Sequence, residues 1–210
     1  MGREARLATL TVGVLWLGKL LPRADEDVLT WAVGGYLILL GVWTIALGAR
    51  AGTGEADPLQ GWRGTFLPLG LALGVLAFVA SAIGYTVSQR VLHLSPPSEA
   101  RLVAGFDLRF GLVTGVALAS ALLEEWVFRG VLLDRLGSVP AAGAVAASAL
   151  VFAAYHLSTF QLLPTFVLGV VLALVVRRAG SLWPAIVAHA TFNVMGLLLT
   201  TLAAGNGGPR

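Results

Sequence analysis

Long apolar stretches joined by short polar links make up most of the chain. A bilayer core about 30 Å thick takes about 20 helical residues at a rise of about 1.5 Å each. On that scale seven segments qualify: 5–21, 28–49, 65–88, 108–133, 139–157, 160–177 and 182–202. Membrane strands need only about 10 residues and alternate strictly, and these runs do neither. The pattern therefore predicts an all-α fold, a polytopic transmembrane helix bundle of about seven spans around a polar intramembrane cavity. The first segment is the weakest, being short and carrying Lys19 near one end. The link from His156 to Gln161 is so tight that its flanking helices should form an antiparallel pair. Gly70/Gly74 and Gly111/Gly115 put paired glycines on single helical faces, which permits close helix approach.

Composition strengthens the membrane reading. Residues of the AVILMFWYC set make up 57% of the 210, and only 12% are charged, about half the ~25% usual in soluble domains. Lipid is the solvent that so much apolar surface requires. The expected location is the cell membrane, as a multi-pass protein with the lipid bilayer as partner. The net charge of +3 is scattered rather than clustered, so the chain has no nucleic-acid footprint. Oligomeric state is not legible. The absence of cysteine excludes a disulfide framework, a thiol nucleophile and Cys-ligated zinc. The arginine and lysine distribution between the two sides of a seven-span arrangement is nearly even, with a slight bias placing the N terminus in the cytoplasm.

Glu124, Glu125 and Arg129 stand out because they fall inside the apolar run ALLEEWVFRGVLL. A charge in mid-membrane costs about 2.5–3.5 kcal/mol on insertion scales, so three together should face protein or water. Glu125 and Arg129, four apart, share a helical face and form a natural ion pair. Glu124 points about 100° away with no partner on its own helix, as suits a general base. His156 ends the fifth segment, and His189 and Asn193, one turn apart, project from one face of the seventh. Each has a plainer explanation: a structural ion pair, a helix-end cap, interhelical hydrogen bonding. Their joint occurrence in a chain poor in polar groups favours a site. By residue count Glu124 and His189 lie at similar depths, about 14 and 11 Å, whereas His156 is offset at about 26 Å. His93 reads as a surface residue.

Glu124-Glu125-x-x-x-Arg129, Phe152-x-x-x-His156 and His189-x-x-x-Asn193 resemble, in order and spacing, the three motifs of the CPBP family of intramembrane proteases. That family is also known as the Abi or Rce1-like CAAX prenyl proteases. The resemblance runs from about 110 to 199 and implies a division into a front part, 1–107, without family signature, a catalytic core, 108–203, and a short tail, 204–210. It implies peptide-bond hydrolysis in the membrane: Glu124 activates water with help from His156, and His189 with Asn193 supports the oxyanion. Glu125 and Arg129 take the remaining motif positions, which organise the site. The expected partner is a peptide or membrane-protein substrate, lipidated or not.

The chemistry agrees on its own terms, since hydrolysis needs a base, a proton for the leaving amine and donors where negative charge develops. No serine or threonine beside a histidine makes a convincing triad; Ser148 lies eight residues from His156 without an acid to orient it. Metal ligands are not assigned. A metal-free mechanism without cofactor is favoured, with a zinc-dependent version of the same protease as the alternative. Two further alternatives are a non-catalytic membrane scaffold or bacteriocin-immunity-type protein on the same fold, and a small transporter using the charged residues as a relay.

Overall fold

The computed structural model describes residues 3–20, 61–94, 110–156 and 158–206. Among them the chain forms six helices and no strand: α1 (Arg3–Leu20), α2 (Phe66–Arg90), α3 (Phe110–Glu125), α4 (Ala141–Tyr155), α5 (Thr159–Ala179) and α6 (Trp183–Asn206). α3 does not stop at Glu125. It widens into a π-helical segment, Trp126–Leu132, and closes with one α turn, Leu133–Arg135. Local chemistry sets several ends. Pro140 precedes α4 and its carbonyl takes the first helical bond, from Ala144 N at 3.0 Å. Ser158 caps α5 by accepting from Gln161 N. Gly180, at φ 63°, ends α5 in the left-handed conformation that glycine adopts without steric cost.

The expectation of about seven spans is corrected. Among the described residues only α2 and α5 are long and apolar enough to cross a membrane. Arg6–Leu15, Ala141–Tyr155 and Trp183–Leu199 are shorter apolar runs. The expected span at 28–49 lies outside the described residues. The apolar count overestimated length for physical reasons. Segment 139–157 loses residues at both ends to the Pro140 and His156 boundaries, leaving 15 in α4. Segment 108–133 is divided between α- and π-helix at its charged residues. Two spanning helices make this a membrane-associated, multi-span protein. No more than about a third of either apolar window is buried, and on α2 Leu76 is 64% and Ile83 65% exposed, as suits a lipid-facing surface.

α2 buries its smallest residues instead. Gly70, Gly74, Ala77, Ser81, Gly84 and Ser88 recur every three or four positions and form one face. That face meets α6 at one end and α5 at the other. A Cβ on Gly70 would sit 2.5 Å from Val187 Cβ, and one on Gly74 would sit 2.5 Å from the Ala188 carbonyl oxygen. Farther along, Ser81 Oγ donates to Pro164 O at 3.3 Å, and Gly84 touches Pro164. The close approach expected from Gly70/Gly74 is therefore realised. That expected from Gly111/Gly115 is not seen at Gly115, which has open space at its Cβ position; the surroundings of Gly111 lie outside the described residues.

α4 and α5 form the antiparallel pair expected from their short link, with Gly169 against the Ala149 backbone. α3 packs on α6, and α1 lies against α3 and its π segment, contributing Ala8 and Leu15 to a core with Leu123, Val127 and Phe152.

Gly74→Val should force α2 from the Ala188 backbone. The expected cost is about 1–3 kcal/mol, a fall of roughly 5 °C in Tm in detergent. Gly115→Ala meets nothing within 4 Å and should leave Tm unchanged or slightly raised.

Candidate active site

The π segment begins directly after the two glutamates. Its wider ring bonds Leu133 N to Phe128 O, five residues back, and the same carbonyl accepts from Ser148 Oγ at 3.0 Å. Ser148 thus ties α4 to this irregular turn, a structural contact. π-Helical turns recur at functional sites because they shift side chains out of ordinary helical register.

Arg129 is 2% exposed and Glu125 fully buried. Arg129 Nη1 donates to Glu125 Oε1 at 2.9 Å, the ion pair expected from their spacing. Its Nη2 donates to Gly169 O on α5 at 3.2 Å, and its guanidinium lies over the Phe152 ring at 4.3 Å. The planar fork thereby serves an anion, a carbonyl and an aromatic face at once. Gly169 has two roles here, admitting α4 closely and offering its carbonyl to the arginine.

The contact that sequence spacing did not reveal comes from α6. His189, 2% exposed, places Nδ1 2.8 Å from Glu125 Oε1. An ionised carboxylate can only accept, so Nδ1 carries the proton and donates. Nε2 then faces Glu124 Oε2 at 3.8 Å, an ion-pair distance beyond direct hydrogen bonding. Glu124 has 7% of its surface exposed. One histidine therefore stands between two carboxylates of different character: one fixes its ring, the other faces its opposite nitrogen.

Asn193 Nδ2 donates to Ala117 O on α3 at 3.3 Å. His156 Nδ1 lies 2.9 Å from Phe152 O, within its own helix. Fully buried Phe152 meets the His156 ring edge-to-face at 4.9 Å and the His189 ring at 5.7 Å. So Phe152, which entered the motif only as a spacing marker, is the packing centre for both histidines and Arg129. Glu124, Glu125, Arg129 and His189 form a buried cluster between α3, α5 and α6. His93 is exposed, in the turn after α2.

Residues 106–195 match the family described as Type II CAAX prenyl endopeptidase Rce1-like. This segment is similar to the Rce1-like family. The match covers a little under half the chain and contains Glu124, Glu125, Arg129, His156, His189 and Asn193. No curated protein and no solved structure matches the chain. The buried histidine–glutamate pair within the matched segment is consistent with a catalytic site.

Zinc does not fit the donors as they stand. A catalytic zinc takes three protein ligands and a water. Glu125 Oε1 is shared by Arg129 and His189, and His189 Nδ1 is committed to Glu125. Within this cluster that leaves His189 Nε2 and Glu124, with His156 packed against the Phe152 ring. Among the described residues no group of three His, Asp or Glu side chains could hold a metal ion.

Arg129→Ala would leave the Glu125 carboxylate buried without its cation. The expected loss is about 3–5 kcal/mol, seen as poor yield and a sharply lower Tm in detergent. Arg129→Lys should recover only part of it, because one ammonium cannot reproduce the fork to Glu125 and Gly169.

Proposed function

We propose that this protein is a peptide hydrolase of the membrane, acting on a peptide or membrane-associated protein. The observation that carries the reading is the placement of Glu124 against His189 Nε2, with His189 held from behind by Glu125 and Arg129. Glu124 is the base: it takes a proton from water as the water oxygen bonds to the scissile carbonyl carbon. Negative charge then develops on the carbonyl oxygen, and His189 Nε2 and Asn193 are the donors that meet it. Asn193 Nδ2 has two hydrogens, so its bond to Ala117 leaves capacity for a second. For His189 to donate through Nε2 while Nδ1 stays on Glu125, it must be cationic. In that state two carboxylates, one guanidinium and one imidazolium sum to zero. The tetrahedral intermediate collapses with cleavage of the C–N bond, and the proton held by Glu124 passes to the leaving amine. His156, against the same Phe152 ring as His189, assists at the water. Glu125 and Arg129 are positioning residues, and residues 108–203 form the catalytic part. No step requires a metal or cofactor.

Glu124→Gln preserves size and most hydrogen bonding but cannot accept the water's proton. Turnover of a reporter peptide in liposomes should fall about 10²-fold or more, with Tm nearly unchanged. Asn193→Ala should lose about 3 kcal/mol of transition-state stabilisation. Turnover should survive a strong chelator. Wild-type turnover by Glu124→Gln would remove the catalytic assignment and favour a binding scaffold. Loss to chelator with recovery on zinc would overturn the metal-free mechanism.

A further inference from the structure

The two membrane-crossing helices share one end, and its chemistry differs from that of the other. α2 starts there, preceded by Trp62 and Arg63, and α5 finishes there with Arg177 and Arg178 in its last turn. The turn from Gly180 to Leu182 leads directly into Trp183 at the start of α6. The parallel packing of α2 on α6 brings these pieces together: Trp62 stands edge-to-face on Trp183 at 5.2 Å and on Phe66 at 6.4 Å. The Arg63 guanidinium lies 6.0 Å from the Phe66 ring. Trp62 remains 48% exposed despite these contacts. Arg63, Arg177 and Arg178 are exposed, as is Arg135 at the end of the α3 column, with Asp134 beside it. At their opposite ends, α2 finishes on Arg90 alone and the first turns of α5 carry no lysine or arginine.

Amphipathic indole rings settle at the level of lipid headgroups, and arginine and lysine collect on the cytoplasmic side of membrane spans. Guanidinium pairs with phosphate oxygens through two parallel hydrogen bonds, while its aliphatic stem covers apolar surface. We propose that this end, carried by Trp62, Arg63, Arg177, Arg178 and Trp183, is an interface for anionic phospholipid headgroups of the cytoplasmic leaflet. The indoles set the depth of the two spanning helices in the headgroup layer, and the arginines hold the phosphates. Charge complementarity selects the occupant, since the cytoplasmic leaflet carries the anionic lipids. The inference stands apart from the hydrolase reading, because none of these residues belongs to the glutamate–histidine cluster.

The test uses the full chain in a neutral maltoside detergent, titrated separately with phosphatidylglycerol, phosphatidylcholine and inorganic phosphate. Saturating phosphatidylglycerol should raise Tm by roughly 5 °C or more, phosphatidylcholine by less than half as much, and inorganic phosphate not at all. Arg177→Gln/Arg178→Gln should lose the phosphatidylglycerol shift, and Arg90→Gln should keep it. Equal shifts with both lipids, a shift reproduced by inorganic phosphate, or a shift retained by the double variant would overturn the interface. The leaflet is tested separately, aided by the absence of native cysteine. In right-side-out vesicles a membrane-impermeant maleimide should label Leu92→Cys directly and Ser138→Cys only after permeabilisation. The reverse pattern would overturn the cytoplasmic assignment.

Discussion

A single carboxylate oxygen, Glu125 Oε1, accepts from Arg129 at 2.9 Å and from His189 at 2.8 Å in a fully buried position. Removing a carboxylate from water is costly, and only good geometry with cationic or polar donors offsets it. That requirement couples three helices. α3 supplies the acid and the arginine, α6 supplies the histidine, and α5 supplies the Gly169 carbonyl that takes the arginine's second arm. The register of α6 against α3 is therefore constrained by the ion pair as well as by apolar packing. Facing Glu124 with the other nitrogen of His189 is a consequence of that register.

Close backbone approach serves the same end from the outside. The glycines of α2 let it lie against α6 along Pro184–Thr191, the stretch that contains His189. Gly169 does likewise between α4 and α5, where Ala149 would otherwise hold the helices apart. Small residues at these interfaces suit a protein whose outer surface is apolar, because in lipid the hydrophobic effect does little to press helices together. Dispersion contacts and the buried polar cluster take over that task. The exposed leucines and isoleucines of α2 point the other way, away from these interfaces.

The π segment links packing to chemistry. It leaves Phe128 O accessible to Ser148, so α4 is fastened to α3 just beyond the glutamates. Phe152, one turn past Ser148 on the same helix, then sits beneath the Arg129 guanidinium and beside both histidine rings. An aromatic ring suits this place: its face attracts the cation, and its edges pack the imidazoles without competing for their hydrogen bonds.

What the sequence determined by itself is local or periodic. Apolar run length gave helices near the observed positions for every expected segment that lies within the described residues. Four-residue spacing was enough for the Glu125–Arg129 pair and for the common face of His189 and Asn193, because one helical turn sets those distances. It also marked Gly70 and Gly74 as a contact face. Run length did not give span number, because Pro140, His156 and the charged residues of α3 shorten or divide helices that hydropathy averages treat as continuous. Only the tertiary structure decided that His189, 64 residues from Glu125, closes on it, and that Arg129 reaches Gly169, 40 residues away. Such contacts depend on which helices pack and in what register. That is fixed by backbone proximity at glycines and by satisfaction of buried charge, and neither quantity is encoded in spacing along one helix.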